Sequence, residues 1–130
     1  MPHILVVDDQ KDVRAMIAMV LRLNRFEVTE AGSGAAGLKT FAERDFDAAI
    51  VDVFLNDING LDLIAAMRQR KPNLPVVAVS GMMSLDFAQQ SDELANVQCL
   101  KKPFRPNDLL QAIALAQRAV APIDAQRAAV

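Results

Sequence analysis

Five short apolar runs, each followed by a longer stretch with helical spacing, leave few folds open to this chain. The runs are HILVV (3–7), FEVTEA (26–31), DAAIVD (47–52), PVVAVS (75–80) and VQCLK (97–101). The first, third and fourth are almost continuously apolar, as strands covered on both faces should be. The second alternates, which suits an edge strand with one wet face. In the first helical stretch Val13, Ile17, Val20 and Leu21 fall on one face. The second, over 35–43, carries Leu38, Phe41 and Ala42, and Leu61, Ile64 and Ala65 mark the third. The fourth, over 84–94, is polar, with a thin stripe of Phe87 and Leu94 and Ser84 as its cap. The fifth carries Leu110, Ile113, Ala114 and Gln117 behind Pro106 and Asn107, a position where proline is tolerated.

Strand–helix alternation predicts a parallel sheet with helices on both faces, joined by right-handed crossovers. The expected fold is a doubly wound α/β (βα)5 unit with a five-stranded parallel sheet in the order 2-1-3-4-5, which puts the alternating strand at an edge. A length of 130 residues fits one domain, expected over 1–120. The stretch RAVAPIDAQRAAV (118–130) is small and broken by Pro122, and residues 121–130 are expected to form a flexible tail or the start of a linker.

Composition removes several function classes. Fourteen Lys and Arg against sixteen Asp and Glu give a net charge of −2, unlike a nucleic-acid binder that works by bulk charge. One cysteine and one histidine allow neither a disulfide framework nor a zinc site, and fit a reducing compartment. The first apolar run is stopped by Asp8 and Asp9, too soon for a signal peptide, and no run approaches the ~20 residues of a membrane span. The expectation is a cytoplasmic protein with no direct nucleic-acid or membrane partner.

Ligands of open α/β sheets bind beyond the carboxyl ends of the strands, where strand order reverses. Strand one ends in Asp8 and Asp9, strand three in Asp52 and strand four in Ser80, while strand five runs into Lys101, Lys102 and Pro103. Neighbouring strands lie ~4.8 Å apart, so Asp8 and Asp9 can converge on Asp52. Lys102 starts roughly 10 Å from Asp52, and its long side chain can close most of that gap. Three carboxylates at one edge need a proton or a cation, and a hard ion such as Mg²⁺ suits them. A lysine and a hydroxyl facing the same point complete a site for a phosphoryl group. A carboxylate beside the ion can itself be the nucleophile, giving an acyl phosphate.

The motifs ILVVDD (4–9), VDVFLNDING (51–60), VVAVSG (76–81) and LKKPF (100–104) resemble those of the receiver domain of two-component response regulators. The resemblance spans about residues 3–118. It implies Asp52 as phosphoacceptor, Asp9 as a direct Mg²⁺ ligand, Asp8 acting through water, and the Phe54 backbone carbonyl completing the protein ligands. It further implies Lys102 on the phosphoryl oxygens, Ser80 hydrogen-bonded to the phosphoryl group and coupling it to movement, and a cis bond before Pro103. The donor would be a sensor histidine kinase or a histidine phosphotransfer protein, with Val13, Met16, Phe104, Arg105 and Pro106 in the docking region. Output would pass by contact with a downstream protein. The chain would be a phosphoacceptor with Mg²⁺-dependent self-phosphorylation and slow autodephosphorylation, and not an enzyme in the ordinary sense.

Five positions stand out. Asn56 occupies a common proline position, with little consequence expected. Arg25 replaces a frequent glycine, so Asn24 is expected to take the left-handed helix cap. Cys99, read as a buried and inert thiol, replaces a switch aromatic, so activation is expected to spread without a ring rotation. Phe54 and Met82 are both apolar where the family tunes hydrolysis, which implies a long-lived phosphorylated form.

Two other readings compete. One is a pseudo-receiver that binds partners without phosphorylation, against which the full set Asp8, Asp9, Asp52, Ser80 and Lys102 argues. The other is a small nucleotide-binding module, because Gly32, Gly34 and Gly37 match G-x-G-x-x-G between a strand and a helix, with Asp52 about 20 residues on. Against it, the glycines follow the edge strand, and the acids would repel a pyrophosphate. His3 is read as structural.

Overall fold

The computed structural model describes residues 1–81 and 94–120. Nine elements follow in chain order: β1 (His3–Val7), α1 (Lys11–Leu23), β2 (Glu27–Ala31), α2 (Gly34–Glu43), β3 (Ala48–Asp52), α3 (Gly60–Arg70), β4 (Val76–Ser80), β5 (Gln98–Lys101) and α4 (Pro106–Ala119). The strands form one parallel sheet in the order β2-β1-β3-β4-β5, the doubly wound α/β arrangement expected from the sequence. The helical stretch expected over 84–94, with its Ser84 cap, lies outside the described residues except for Leu94, which is buried. The tail expected over 121–130 lies outside them too.

The continuous apolar runs have a simple cause. Alternate side chains of β1 enter different cores, Ile4 and Val6 one, Leu5 and Val7 the other. β4 does the same with Val77 and Val79 against Val76 and Ala78. α1 and α4 cover the first face with Ile17, Val20, Leu21, Leu109 and Ile113, and α2 and α3 cover the second with Phe41, Leu63, Ile64 and Met67. Full burial of an apolar side chain of this size contributes about 1.5–3 kcal/mol.

Some faces differ from expectation. α4 buries Leu109, Ala112, Ile113 and Ala116, while Ala114 is exposed. α2 buries Gly34, Gly37 and Phe41, and Leu38 is exposed. Periodicity overlooks this face because small residues, not large ones, let α2 approach β1: a Cβ on Gly37 would stand 2.8 Å from Val7 Cγ2. β2 is an edge strand but not cleanly alternating, since Thr29 is half-buried beneath His3. His3 is structural and well partnered. Its backbone N–H donates to Asp47 Oδ2 at 2.7 Å, its ring nitrogen lies 2.6 Å from Thr29 Oγ1, and its ring meets Phe46 at 4.5 Å.

α1 ends in a Schellman turn, with Phe26 N–H on Leu21 O and Arg25 N–H on Arg22 O. The left-handed residue is Arg25 (φ 67), not Asn24 (φ −103) as expected. Asn24 stays at the cap, where its side-chain amide donates to Val20 O at 2.7 Å. The two turn bonds demand positive φ one residue later, whatever stands there. Arg25 is exposed and carries this strain, so Arg25→Gly is expected to raise stability by about 0.5–1 kcal/mol. Urea unfolding checks it, and an unchanged or lower midpoint would count against the turn as the source of strain.

Candidate functional site

The carboxyl ends of β1, β3, β4 and β5 meet at one edge of the sheet. Pairing aligns Val7 with Val51, Asp52 with Val79 and Ser80 with Lys101. The ladder runs one step past the strands through Val53 N–H on Val79 O and Lys102 N–H on Ser80 O. It therefore fixes where the following side chains begin. Lys102 Nζ lies 3.1 Å from Asp8 Oδ2 and 3.3 Å from Asp52 Oδ2. Asp8, Asp52 and Ser80 are buried and Asp9 half-buried. One carboxylate oxygen from each of Asp8, Asp9 and Asp52 lies within 4.8 Å of the others. The peptide bond between Lys102 and Pro103 is cis.

Each acid is also held by a nearby N–H. Asp8 Oδ1 accepts from Gln10 N at 2.8 Å, Asp52 Oδ1 from Phe54 N at 3.0 Å, and Asp9 Oδ2 from Asn56 N at 3.0 Å. A cleft of about 400 Å³ opens over them, lined by Asp9, Gln10, Asp52, Phe54, Asn56, Gly81 and Lys102. Burial pushes the Asp8 carboxyl above its ordinary range, against the pull of the Gln10 amide and the Lys102 ammonium, and the Asp52 charge adds to the rise. Three carboxylates against one ammonium leave an excess of negative charge. The donors are all oxygens, which suits a hard divalent ion.

Asp8, Asp9, Asp52 and Lys102 gather here, and Ser80 ends the neighbouring strand β4. Asp8 and Ser80 are buried and do not line the open cleft. Gln10 was missed. Its Oε1 accepts from Lys102 Nζ at 3.1 Å, and a polar residue directly after two strand-end acids was the available signal. The Asn56 N–H makes a bond that proline could not. Val13, Met16 and Phe104 are half-buried and pack on the α1 and α4 core, while Arg105 and Pro106 are exposed. Cys99 is half-buried rather than buried, since it sits on the edge strand β5, and burial pushes its thiol up, keeping it protonated at neutral pH. Met82 lies outside the described residues.

The glycine motif finds a different use. Asp57 sends both carboxylate oxygens to the start of α2, accepting from Gly34 N and Ala35 N at 2.9 Å each. The helix N-terminus that a pyrophosphate would need is thus filled by the chain's own carboxylate. A Cβ on Gly34 would stand 2.5 Å from Ile58 Cγ1, so that glycine admits the loop after β3. Both observations count against the nucleotide-binding reading. The Ala35 and Gly34 amides hold Asp57 below the ordinary value of 3.8. Stability from a depressed carboxyl is fully present above that ordinary value and is lost as pH falls through the lower folded value. Asp57→Ala is therefore expected to be less stable at neutral pH and to lose less on acidification below about pH 4. Parallel acid limbs in a pH series of urea melts would contradict this.

Comparison with known proteins decides the family. The model of the response regulator receiver domain matches residues 4–114. The chain belongs to that family. Among relatives of this receiver domain, the transcriptional regulatory protein PrrA of Mycobacterium tuberculosis is 35% identical over 103 residues, covering 79% of the chain and 44% of PrrA. PilR of Pseudomonas aeruginosa is 31% identical over 114 residues, covering 88% of the chain and 26% of PilR. The receiver domain spans less than half the length of these curated relatives. Its fold is similar to that of the Vibrio cholerae chemotaxis protein CheY4, with a TM-score of 0.81 at 27% identity, covering 92% of this chain and 98% of that one. A CheY-like receiver domain protein of Methanospirillum hungatei gives 0.83 at 26% identity, covering 92% and 96%.

Proposed function

We propose that this receiver domain takes a phosphoryl group from a phosphohistidine partner onto Asp52, with Mg²⁺, and signals by protein–protein contact. The partner is a sensor histidine kinase or a histidine phosphotransfer protein. The observation that carries the reading is the single ammonium of Lys102 lying against both Asp8 and Asp52, 94 and 50 residues away in sequence.

The chain's own groups prepare the acceptor. Phe54 N–H and Lys102 Nζ each take one oxygen of Asp52, which fixes the plane of its carboxylate. A donor phosphorus entering the cleft meets a carboxylate already oriented for attack. An Asp52 oxygen forms the new bond to phosphorus as the phosphorus–nitrogen bond of phosphohistidine breaks and the imidazole leaves. Lys102 then faces the phosphoryl oxygens, and Ser80, at the end of β4, is the hydroxyl that bonds them and carries the change outward. Asp8, Asp9, Asp52 and the Phe54 carbonyl would hold Mg²⁺, which would offset the charge of the phosphoryl oxygens. The added charge shifts a two-state equilibrium.

Phe54, exposed on the cleft wall, cannot hold an attacking water, which supports slow hydrolysis of the acyl phosphate. Cys99 on β5 supports a route of activation without an aromatic rotation. Among the described residues no helix is long and apolar enough to cross a membrane, and a cytoplasmic location is part of the proposal.

Intact mass after incubation with Mg²⁺ and acetyl phosphate tests the reading; the chain has no tryptophan to report by fluorescence. The protein should gain one phosphoryl group, and Asp52→Ala none. Equal gain by Asp52→Ala would overturn the assignment. No gain by either protein would favour a partner-binding module that is not phosphorylated.

A further inference from the structure

We infer that the main-chain N–H of Asn56 is a positioning group for the divalent ion, holding the Asp9 carboxylate toward Asp8 and Asp52 before the ion arrives. This rests on the metal site proposed above and deepens it. Asn56 N donates to Asp9 Oδ2 at 3.0 Å across 47 positions of sequence. Lys102 compensates Asp8 and Asp52, but among the described residues no cation pairs with Asp9. Repulsion from its two acidic neighbours, and the rotamer freedom of a half-buried side chain, would otherwise turn Asp9 toward solvent.

The donor is well fixed. Asp57 ties the same loop to α2 through two bonds, Phe54 bridges Asn59, and Gly60 N–H closes the loop on Val53 O at 2.8 Å. A carboxylate oxygen has two lone pairs, so Oδ2 can keep the amide while the carboxylate faces an ion. Partners of this kind, which orient a ligand without touching the metal, commonly change affinity 10–100-fold when removed. The bond is solvent-exposed, which places the effect near the lower figure.

The donor belongs to the backbone, so proline removes it and alanine keeps it. Mg²⁺ titrations followed by amide resonances should show Asn56→Ala binding Mg²⁺ about tenfold more tightly than Asn56→Pro. Equal affinities, or tighter binding by the proline variant, would overturn the inference. Hydrogen exchange at the Asn56 amide gives a second reading that does not depend on proline fitting the loop. Exchange should be faster in Asp9→Ala than in the unmodified protein, and equal rates would also overturn it. Asp9→Ala separates the two levels. If it binds Mg²⁺ as tightly as the unmodified protein, the metal site itself is wrong. If it loses Mg²⁺ while the proline and alanine variants match, only the role of the amide is wrong.

Discussion

Gly60→Ala is expected to destabilise the protein by about 3 kcal/mol and to slow phosphorylation of Asp52. A Cβ at this position would stand 2.1 Å from the Asp52 carbonyl oxygen and 2.7 Å from Val53 Cα. Both are backbone atoms of the strand end that presents the proposed acceptor, so no side-chain rotation relieves the clash. Either the first turn of α3 backs away, breaking the Gly60–Val53 bond, or the end of β3 shifts and takes the Asp52 carboxylate off Lys102. Overpacking usually costs about 1–3 kcal/mol, and an immovable neighbour puts this site at the top of that range. Gly81→Ala is the matched control, because among the described residues no atom lies within 4 Å of a Cβ there and its φ is not positive. Its urea midpoint should stay within about 0.5 kcal/mol of the unmodified protein. Similar losses in both variants would mean that the close approach of α3 to β3 is not what Gly60 serves.

Lys102→Met should lower both stability and the rate of phosphorylation. It keeps the aliphatic stem and removes the ammonium from two buried carboxylates. Breaking a fully buried pair costs about 3–5 kcal/mol, and the partial exposure of Lys102 lowers this to about 1–3 kcal/mol. Phosphorylation by a small donor should slow about 100-fold or more, the usual effect of removing one preorganised charge from a transition state. Adding Asp8→Asn removes one of the repelling acids. The double variant should recover stability, a non-additivity expected of groups in contact. Additive losses would show that the ammonium does not offset the charge of Asp8. Arginine is not a mild replacement, because its planar fork does not match a point charge held between two carboxylates and the Gln10 amide oxygen.

The parts of the molecule that the sequence made legible are those governed by periodicity. β1, β3 and β4 are visible because both of their faces are covered, which leaves no polar interruption until the functional end. The same feature exposes the site, since Asp8, Asp9, Asp52 and Ser80 are the first polar residues after those runs. Groups that act through the backbone or through size leave no such trace. Asp57 reaches α2 across 22 positions from a loop without pattern. The amide of Asn56 is common to every residue except proline. The packed face of α2 is made partly of Gly34 and Gly37, which score as gaps in a search for apolar stripes. The left-handed turn after α1 is set by two backbone bonds, so the chemistry of Asn24 misdirected the expectation.

On the proposed function, separate strand ends make one aspartate, Asp52, the phosphoryl acceptor. Borohydride reduction after incubation with Mg²⁺ and acetyl phosphate tests it most directly, because it converts an aspartyl phosphate to homoserine, which peptide mass spectrometry locates. Homoserine should appear at position 52 and require Mg²⁺. Homoserine at position 8, 9 or 57 instead, or equal conversion without Mg²⁺, would contradict it.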